Sequence, residues 1–213
     1  MVWIAGIITG YLIGSLSFAY LVTRLVRGVD IRAIGTGNAG AANVSREVGK
    51  AWGILVWFLD TAKGIQAVFF TALWSGAFPK PVPFQVPFLT LAGCAAVLGH
   101  SYPLFLNFKG GKGASTSGGL ILYLFPKLFP LVIILFFLTQ KLGPHNKIVL
   151  SLSTVIFFLY LYGLYGAPGF GYYGLSFLYL VLTSILINRD ISLAFCSRTA
   201  RNSTSKKCRF RFY

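Results

Sequence analysis

The chain has 213 residues, of which 56% are hydrophobic and 16% aromatic, and its mean hydropathy is +0.74. Only four residues are acidic, against nineteen lysines and arginines, so the net charge is +15. A soluble domain of this length exposes many more carboxylates and lacks apolar runs such as 131–138 and 148–161, so the composition indicates a polytopic membrane protein. The basic residues cluster between apolar segments, where they orient the chain and face anionic lipid, and we expect no nucleic-acid partner.

Apolar segments follow one another along the chain, and four of them reach the roughly 20 residues that a helix needs to cross a bilayer. The segments cover residues 3–23, 51–74, 84–106, 118–139, 148–162 and 172–187. Near the middle of the fourth segment lie Pro126, Lys127 and Pro130, which break a helix or resist burial in lipid. We therefore predict that residues 118–142 form two short helices in a thin or re-entrant hairpin.

The basic loops predict the orientation of these segments. The loop 24–50 contains five basic residues, and the tail after residue 187 contains the strongest basic cluster, so both are predicted to be cytoplasmic. Lys109 and Lys112 place the loop 107–117 on the same side. These placements predict an all-α integral membrane protein of seven helical elements, with an external N-terminus and a cytoplasmic C-terminus.

The first segment has no basic region before it, so we expect a first span and no cleaved signal peptide. Residues 1–190 are predicted to form a single membrane domain, and residues 191–213 a basic, disordered cytoplasmic tail. Cys94, Cys196 and Cys208 have no metal-ligand spacing, so neither a zinc site nor a disulfide framework is indicated.

Two glycine-rich runs stand at the mouths of apolar segments on the predicted cytoplasmic face. The first glycine loop, residues 35–40, reads Gly-Thr-Gly-Asn-Ala-Gly, and the second glycine loop, residues 109–113, reads Lys-Gly-Gly-Lys-Gly. Backbone N–H groups converge on a phosphate where no Cβ intervenes, although glycines at helix ends also serve as caps or as packing positions. Two such runs on one face, both with polar or cationic residues, favour a phosphorylated substrate. The second run is not a Walker A loop, because Leu106 stands where that motif requires its first Gly.

Longer strings around both loops resemble the bacterial acyl-phosphate:glycerol-3-phosphate acyltransferases over about residues 1–190. Residues 14–20 (Gly-Ser-Leu-Ser-Phe-Ala-Tyr), 30–32 (Asp-Ile-Arg) and 35–46 are similar to the first family signature, and residues 58–64 (Phe-Leu-Asp-Thr-Ala-Lys-Gly) to a further family stretch. The strings Gly-His-Ser-Tyr-Pro at 99–103 and Asn-Phe-Lys-Gly-Gly-Lys-Gly at 107–113 are similar to the second signature.

The resemblance implies transfer of an acyl group from acyl phosphate to glycerol 3-phosphate. The product is 1-acylglycerol 3-phosphate (lysophosphatidate), an intermediate of phospholipid biosynthesis. It also implies a site at the cytoplasmic face of the bacterial inner membrane, with membrane lipid as the surroundings and with neither metal nor nucleotide as cofactor.

The residue types of both loops suit a reaction between two anionic phosphates. Arg46 offers a bidentate fork, and Lys112 is a compact charge among glycines. Thr36 and Asn38 are expected to hold the reacting groups, which makes Thr36, Asn38 and Lys112 the catalytic candidates. The candidates for substrate and phosphate binding are Arg32, Gly35, Gly37, Gly40, Asn43, Arg46, His100, Lys109, Gly110, Gly111, Gly113 and Ser153.

Some of these residues have a structural alternative. His100 ends an apolar helix, where a lone histidine is commonly a satisfied interfacial residue. Asp60 and Lys63 are three residues apart on one helical face and most simply pair with each other. Ser153 matches a serine-containing family stretch only weakly.

The sequence also departs from the family pattern. Thr36 stands where the family usually has Ser, and Ala42 where it usually has Thr. The third signature, an Arg-His-Arg-Glu-Asn-Ile type run, is present only as Asn-Arg-Asp-Ile at 188–191, without the His and Asn that the family is expected to use. Compensation by His145 or Asn188 stays open. A catalytically impaired family member and a small transporter of a phosphorylated metabolite remain the alternatives, although the chain shows no internal repeat that would favour transport.

Overall fold

The computed structural model describes residues 1–79, 85–130 and 133–134. The regular structure in these ranges is helical: α1 (Val2–Ser15), α2 (Phe18–Arg27), α3 (Ala41–Glu47), α4 (Lys50–Trp74), α5 (Val86–Ser101) and α6 (Ala114–Leu124). Short 3-10 turns cover Ile31–Ala33, Leu104–Leu106 and Pro126–Leu128. Within the described ranges, three helical stretches are long and apolar enough to cross a membrane, namely Val2–Arg27, Lys50–Trp74 and Val86–Leu106.

The first apolar segment is broken, whereas the sequence predicted one continuous helix over 3–23. Leu16 has extended backbone angles (φ −69°, ψ 110°), and the Ser17 hydroxyl caps α2 by accepting a 3.4 Å hydrogen bond from the Tyr20 amide. Serine side chains favour such caps over helix interiors, so Ser17 accounts for a new helix start at this point. Gly28, with φ 70°, then ends α2.

The other described segments lie close to their predicted positions. α4 matches the predicted 51–74, whereas α5 stops at Ser101, before Pro103, and the predicted 84–106 continues only as a 3-10 turn. α6 ends at Leu124 and a 3-10 turn begins at Pro126, as the predicted helix break requires. The loop 24–50 contains α3, which the sequence analysis did not anticipate. The predicted elements 148–162 and 172–187, the tail 191–213 and most of the hairpin's second half lie outside the described residues.

Glycines allow the helix backbones to approach closely. Gly6, Gly10 and Gly14 are buried at four-residue spacing on one face of α1. A Cβ at Gly10 or Gly14 would overlap the carbonyl oxygen of Ala92 or Ala96 in α5. Between α4 and α6 the same close approach occurs twice, at Gly64 against the Thr116 carbonyl and at Gly119 against the Thr61 carbonyl. Small residues at matched positions are the usual means of helix packing in a bilayer, where no hydrophobic effect drives helices together.

The buried apolar side chains form two clusters. One lies between α4, α5 and α6, and its members include Val68, Leu89, Val97, Leu120 and Ile121. The other lies beneath the loop that joins α2 to α3, and it includes Ala19, Val22, Ile31, Val44 and Val56. Large apolar side chains on the outer faces are exposed, as a lipid-facing surface requires, for example Ile4, Leu25 and Ile54. The second cluster supports the first glycine loop from below.

Candidate active site

Asn43 organises the first glycine loop from the first turn of α3. Its Oδ1 accepts a 3.0 Å hydrogen bond from the Thr36 amide, and its Nδ2 donates to the carbonyls of Ile31 and Ile34, both at 3.1 Å. The side chain is fully buried, and these bonds occupy both donors and one acceptor site. The sequence analysis placed Asn43 among the candidates for substrate and phosphate binding. In the structure its amide orients the loop, and Gly35 packs against it and Glu47, where a Cβ would overlap the Asn43 Oδ1.

Arg32 joins the loop after α2 to the segment that follows α5. Its Nε and Nη2 donate to the Asp30 carboxylate at 2.7–3.1 Å, and its Nη1 donates to the Leu106 carbonyl at 2.8 Å. The guanidinium also lies 5.7 Å from the centre of the Tyr20 ring. The hydrogen bonds from Arg32 hold the pKa of the Asp30 carboxyl below its ordinary value. The sequence analysis predicted Arg32 as a phosphate ligand. In the structure most of its N–H donors bond to Asp30 and to the Leu106 carbonyl.

The second glycine loop folds back onto the C-terminal end of α5. The Gly110 amide donates to the Ser101 carbonyl at 3.1 Å, and the Gly111 amide donates to the His100 carbonyl at 3.0 Å. Asn107 and Phe108 adopt positive φ angles of 53° and 58°, uncommon for residues with side chains and typical of functional turns.

Gly111 is the point at which the two loops meet. A Cβ there would overlap the Nε2 of His100 and would lie 2.7 Å from the carbonyl oxygen of Ala39 in the first loop. Only glycine therefore fits between the imidazole and the first loop. The predicted placement of both loops on one face agrees with this contact.

The remaining candidates surround this contact with different exposure. Thr36, Arg46 and Lys109 are exposed, whereas Asn38 and Lys112 are half-buried. The Asn38 Oδ1 is buried and has no hydrogen-bond partner among the described residues, so it can accept a bond from a ligand. Gly37 and Gly113 have positive φ angles of 71° and 78°, and Gly40 begins α3 as its N-cap. Such a surface, with cations and a buried acceptor on Asn38, suits a phosphorylated polyol.

Below the loops, the predicted pair between Asp60 and Lys63 is present. Lys63 Nζ lies 3.0 Å from Asp60 Oδ1 and donates to the Leu16 carbonyl at 2.8 Å. His100 Nδ1 lies 3.6 Å from the same Asp60 oxygen, an electrostatic contact longer than a hydrogen bond. Sequence reasoning treated the pair and the histidine separately. The signal that could have joined them is the presence of three ionisable residues within otherwise apolar segments.

Ser153 and His145 lie outside the described residues, as do the residues 188–191. In the described part of the chain, no group of three or more His, Cys, Asp or Glu side chains could hold a metal ion.

Helices of membrane length that carry two packed glycine loops at their ends define a helical membrane protein whose polar site suits an anionic phosphate. The family model described as glycerol-3-phosphate acyltransferase matches residues 4–193. The chain belongs to this glycerol-3-phosphate acyltransferase family, and it is an all-helical integral membrane protein.

Relatives and solved structures agree with this assignment. A glycerol-3-phosphate acyltransferase of Chlorobaculum tepidum is 37% identical over 74% of this chain and 69% of its own length, and one of Aquifex aeolicus is 40% identical over 71% and 76%. The match to the Shouchella clausii enzyme, at 44% identity, spans 55% of each chain. The crystal structure of PlsY (YgiH), an integral membrane glycerol 3-phosphate acyltransferase, in its glycerol 3-phosphate form is 31% identical, covers 93% of both chains and has a TM-score of 0.68. Its lysophosphatidic acid form gives 30% and 0.66.

Proposed function

We propose that this chain transfers an acyl group from acyl phosphate to a hydroxyl of glycerol 3-phosphate. The substrate hydroxyl oxygen bonds to the acyl carbonyl carbon, the acyl–phosphate bond breaks, and the hydroxyl proton leaves on the released phosphate. The observation that supports this function best is the contact between the two glycine loops at Gly111 and Ala39, in a family described as glycerol-3-phosphate acyltransferase. Because acyl phosphate is already an activated acyl donor, placing the two substrates side by side accounts for most of the rate enhancement.

The loops divide the tasks of binding and reaction. Arg46 and Lys112 hold phosphate groups, assisted by the exposed Lys109. Thr36 and Asn38 hold the reacting hydroxyl and carbonyl, with the buried Asn38 Oδ1, which has no partner in the described part of the chain, as the acceptor for a hydroxyl. The fatty chain extends between helices, in lipid-like surroundings.

The site faces the cytoplasm in this proposal, in the inner membrane of a bacterium. The basic residues of the loops 24–50 and 107–117 support this orientation, in which the N-terminus is external. Residues 1–190 then form a single membrane domain of seven helical elements. Ser153 is a further candidate for substrate binding in this proposal. A basic cytoplasmic tail, residues 191–213, lies against anionic lipid.

The direct test is acyl transfer by the purified chain in proteoliposomes. We expect labelled lysophosphatidate from palmitoyl phosphate and labelled glycerol 3-phosphate, and none when the palmitoyl thioester of coenzyme A replaces the acyl phosphate. Arg46→Ala should reduce kcat/KM at least about 100-fold, since a charge-assisted contact to phosphate is lost. Arg27→Ala is the matched control, an exposed arginine at the end of α2, and should retain activity.

Three other outcomes would contradict the proposal. Equal loss in both arginine variants would assign the effect to surface charge. Binding of glycerol 3-phosphate without turnover would select a catalytically impaired family member, in keeping with the altered third signature. Uptake of glycerol 3-phosphate into the vesicles without acyl transfer would select a transporter.

A further inference from the structure

A cluster of ionisable side chains is buried beneath the second glycine loop. Asp60 and Lys63 are each 1% exposed and His100 is 6% exposed, although all three lie in spans that are otherwise apolar. Ionisable groups are expensive in such surroundings and are kept mainly where they serve a function. The reaction proposed above uses neither Asp60 nor Lys63.

Lys63 connects this cluster to the break between α1 and α2. Leu16 is the C-cap of α1, and its carbonyl, which lacks an intrahelical partner, accepts the 2.8 Å bond from Lys63 Nζ. The Phe18 ring lies 5.7 Å from the same ammonium. The position of the Asp60 carboxylate is therefore set by a lysine that is itself anchored on a neighbouring element.

His100 connects the cluster to the second glycine loop. Its Nδ1 faces Asp60 at 3.6 Å, while Nε2, on the other side of the ring, packs against Gly111. The His100 carbonyl also accepts the Gly111 amide bond of 3.0 Å. The orientation of the imidazole thus decides where Gly111 can lie, and Gly111 in turn contacts Ala39 of the first loop.

The polar groups of the cluster are incompletely satisfied. Asp60 Oδ2 and His100 Nδ1 have no hydrogen-bond partner among the described residues. Stability alone would favour apolar side chains of similar volume over a buried ion pair with unfilled polar atoms. The cluster is therefore better explained by what it positions.

We propose that Asp60, Lys63 and His100 are positioning residues that hold the second glycine loop against the first, in the conformation that binds phosphate. The proposal deepens the function proposed above and depends on it for the identity of the substrate. None of the three residues needs to touch the reacting atoms.

The test uses the double variant Asp60→Asn/Lys63→Gln, which removes both charges together and leaves neither one buried alone. Amide hydrogen exchange is followed in nanodiscs for the loop 109–113 and for the middle of α5. We expect the Gly110 and Gly111 amides to exchange at least about tenfold faster in the variant, with α5 unchanged, since only the loop loses its support. The control Thr71→Ala removes a buried hydroxyl of α4 that bonds only to its own helix, and the loop should stay protected.

Kinetics separate positioning from stability in two single variants. His100→Asn keeps an amide donor near the position of Nδ1, whereas His100→Gln places it near Nε2 and leaves Asp60 with Lys63 as its remaining partner. Lys112→Ala serves as the reference and identifies the substrate whose KM depends on the second glycine loop. For that substrate we expect His100→Gln to raise the KM about tenfold and to change kcat by less than about threefold. His100→Asn should return the KM most of the way to the wild-type value.

Unchanged loop exchange in the folded double variant would overturn the proposal, as would loss of protection throughout α5 or equal kinetics for His100→Asn and His100→Gln. Wild-type acyl transfer is measured in parallel. Its absence would reject the proposed function alone, because the exchange comparison still decides on the positioning residues.

Discussion

Gly111 shows how much a single residue without a side chain contributes to this site. It fills the space between the His100 imidazole and the Ala39 carbonyl, and both contacts are too close for a Cβ. The φ angle of Gly111 is not positive, so a side chain is excluded here by the close approach of neighbouring atoms and not by the backbone conformation.

Gly111→Ala should therefore separate the two loops. We expect a loss of at least about tenfold in kcat/KM, or about 1.4 kcal/mol of transition-state stabilisation. Gly118→Ala is the matched control, because a Cβ there meets only Phe129, at an ordinary 3.9 Å. Steady-state acyl transfer by both variants checks the prediction, and similar activities would refute the close-approach argument.

The pair of Asp30 and Arg32 predicts a dependence of stability on pH. The hydrogen bonds from Arg32 lower the pKa of Asp30 below 3.8, so the folded state binds the proton less readily than the unfolded chain. This contribution is fully present above pH 3.8 and is lost as the pH falls through the lower, folded pKa. Because the pair is partly exposed, its effect is small, on the order of 2 °C in melting temperature.

Thermal unfolding in detergent at pH 6 and at the lowest pH the protein tolerates tests this sign. The melting temperature of the wild type should decrease more on acidification than that of Asp30→Asn, because the variant has no carboxylate at this position to protonate. A variant that loses as much as the wild type would show that other carboxyls carry the acid sensitivity.

At the scale of elements, glycines decide how the helices pack. Gly10 and Gly14 bring α1 onto α5, while Gly64 and Gly119 bring α4 onto α6. These contacts set the distance between the helix ends, and the glycine loops extend from those ends. The arrangement of the loops therefore depends on residues that are remote from any substrate.

The double variant Gly10→Ala/Gly14→Ala should lower the melting temperature by about 5 °C or more, since each added methyl overlaps a backbone carbonyl. Ile8→Ala/Leu12→Ala is the control on the exposed face of α1 and should change it little. Differential scanning fluorimetry in one detergent compares the pairs. Equal shifts would mean that α1 does not depend on its glycine face.

At the scale of the whole molecule, the proposed orientation places the turn after α4 outside and the end of α2 inside. In a variant without native cysteines, Phe78→Cys should react with an impermeant maleimide in intact cells, whereas Arg27→Cys should react only after permeabilisation. Both residues are exposed. The reverse pattern would invert the topology while leaving the contact between the loops intact.

Much of this architecture could be predicted from local features. Apolar length indicates the spans, Pro126 marks a helix break, and embedded cations make the glycine loops candidates for phosphate binding. The break at Ser17 was missed because the flanking residues are apolar on both sides, and a serine cap does not stand out in such a run. Asn43 was assigned to substrate because an amide side chain has the same chemistry whether it bonds a ligand or its own loop.

The amino-acid sequence alone was sufficient for the membrane class and the family, because these depend on composition, segment length and contiguous strings. Only the tertiary structure showed that Gly111 packs between the His100 imidazole and the Ala39 carbonyl. It also showed that His100 lies beside the pair of Asp60 and Lys63. Contacts between residues so far apart in the chain depend on how closely helices pack, to within the width of a methyl group. Local sequence patterns contain no information about that distance.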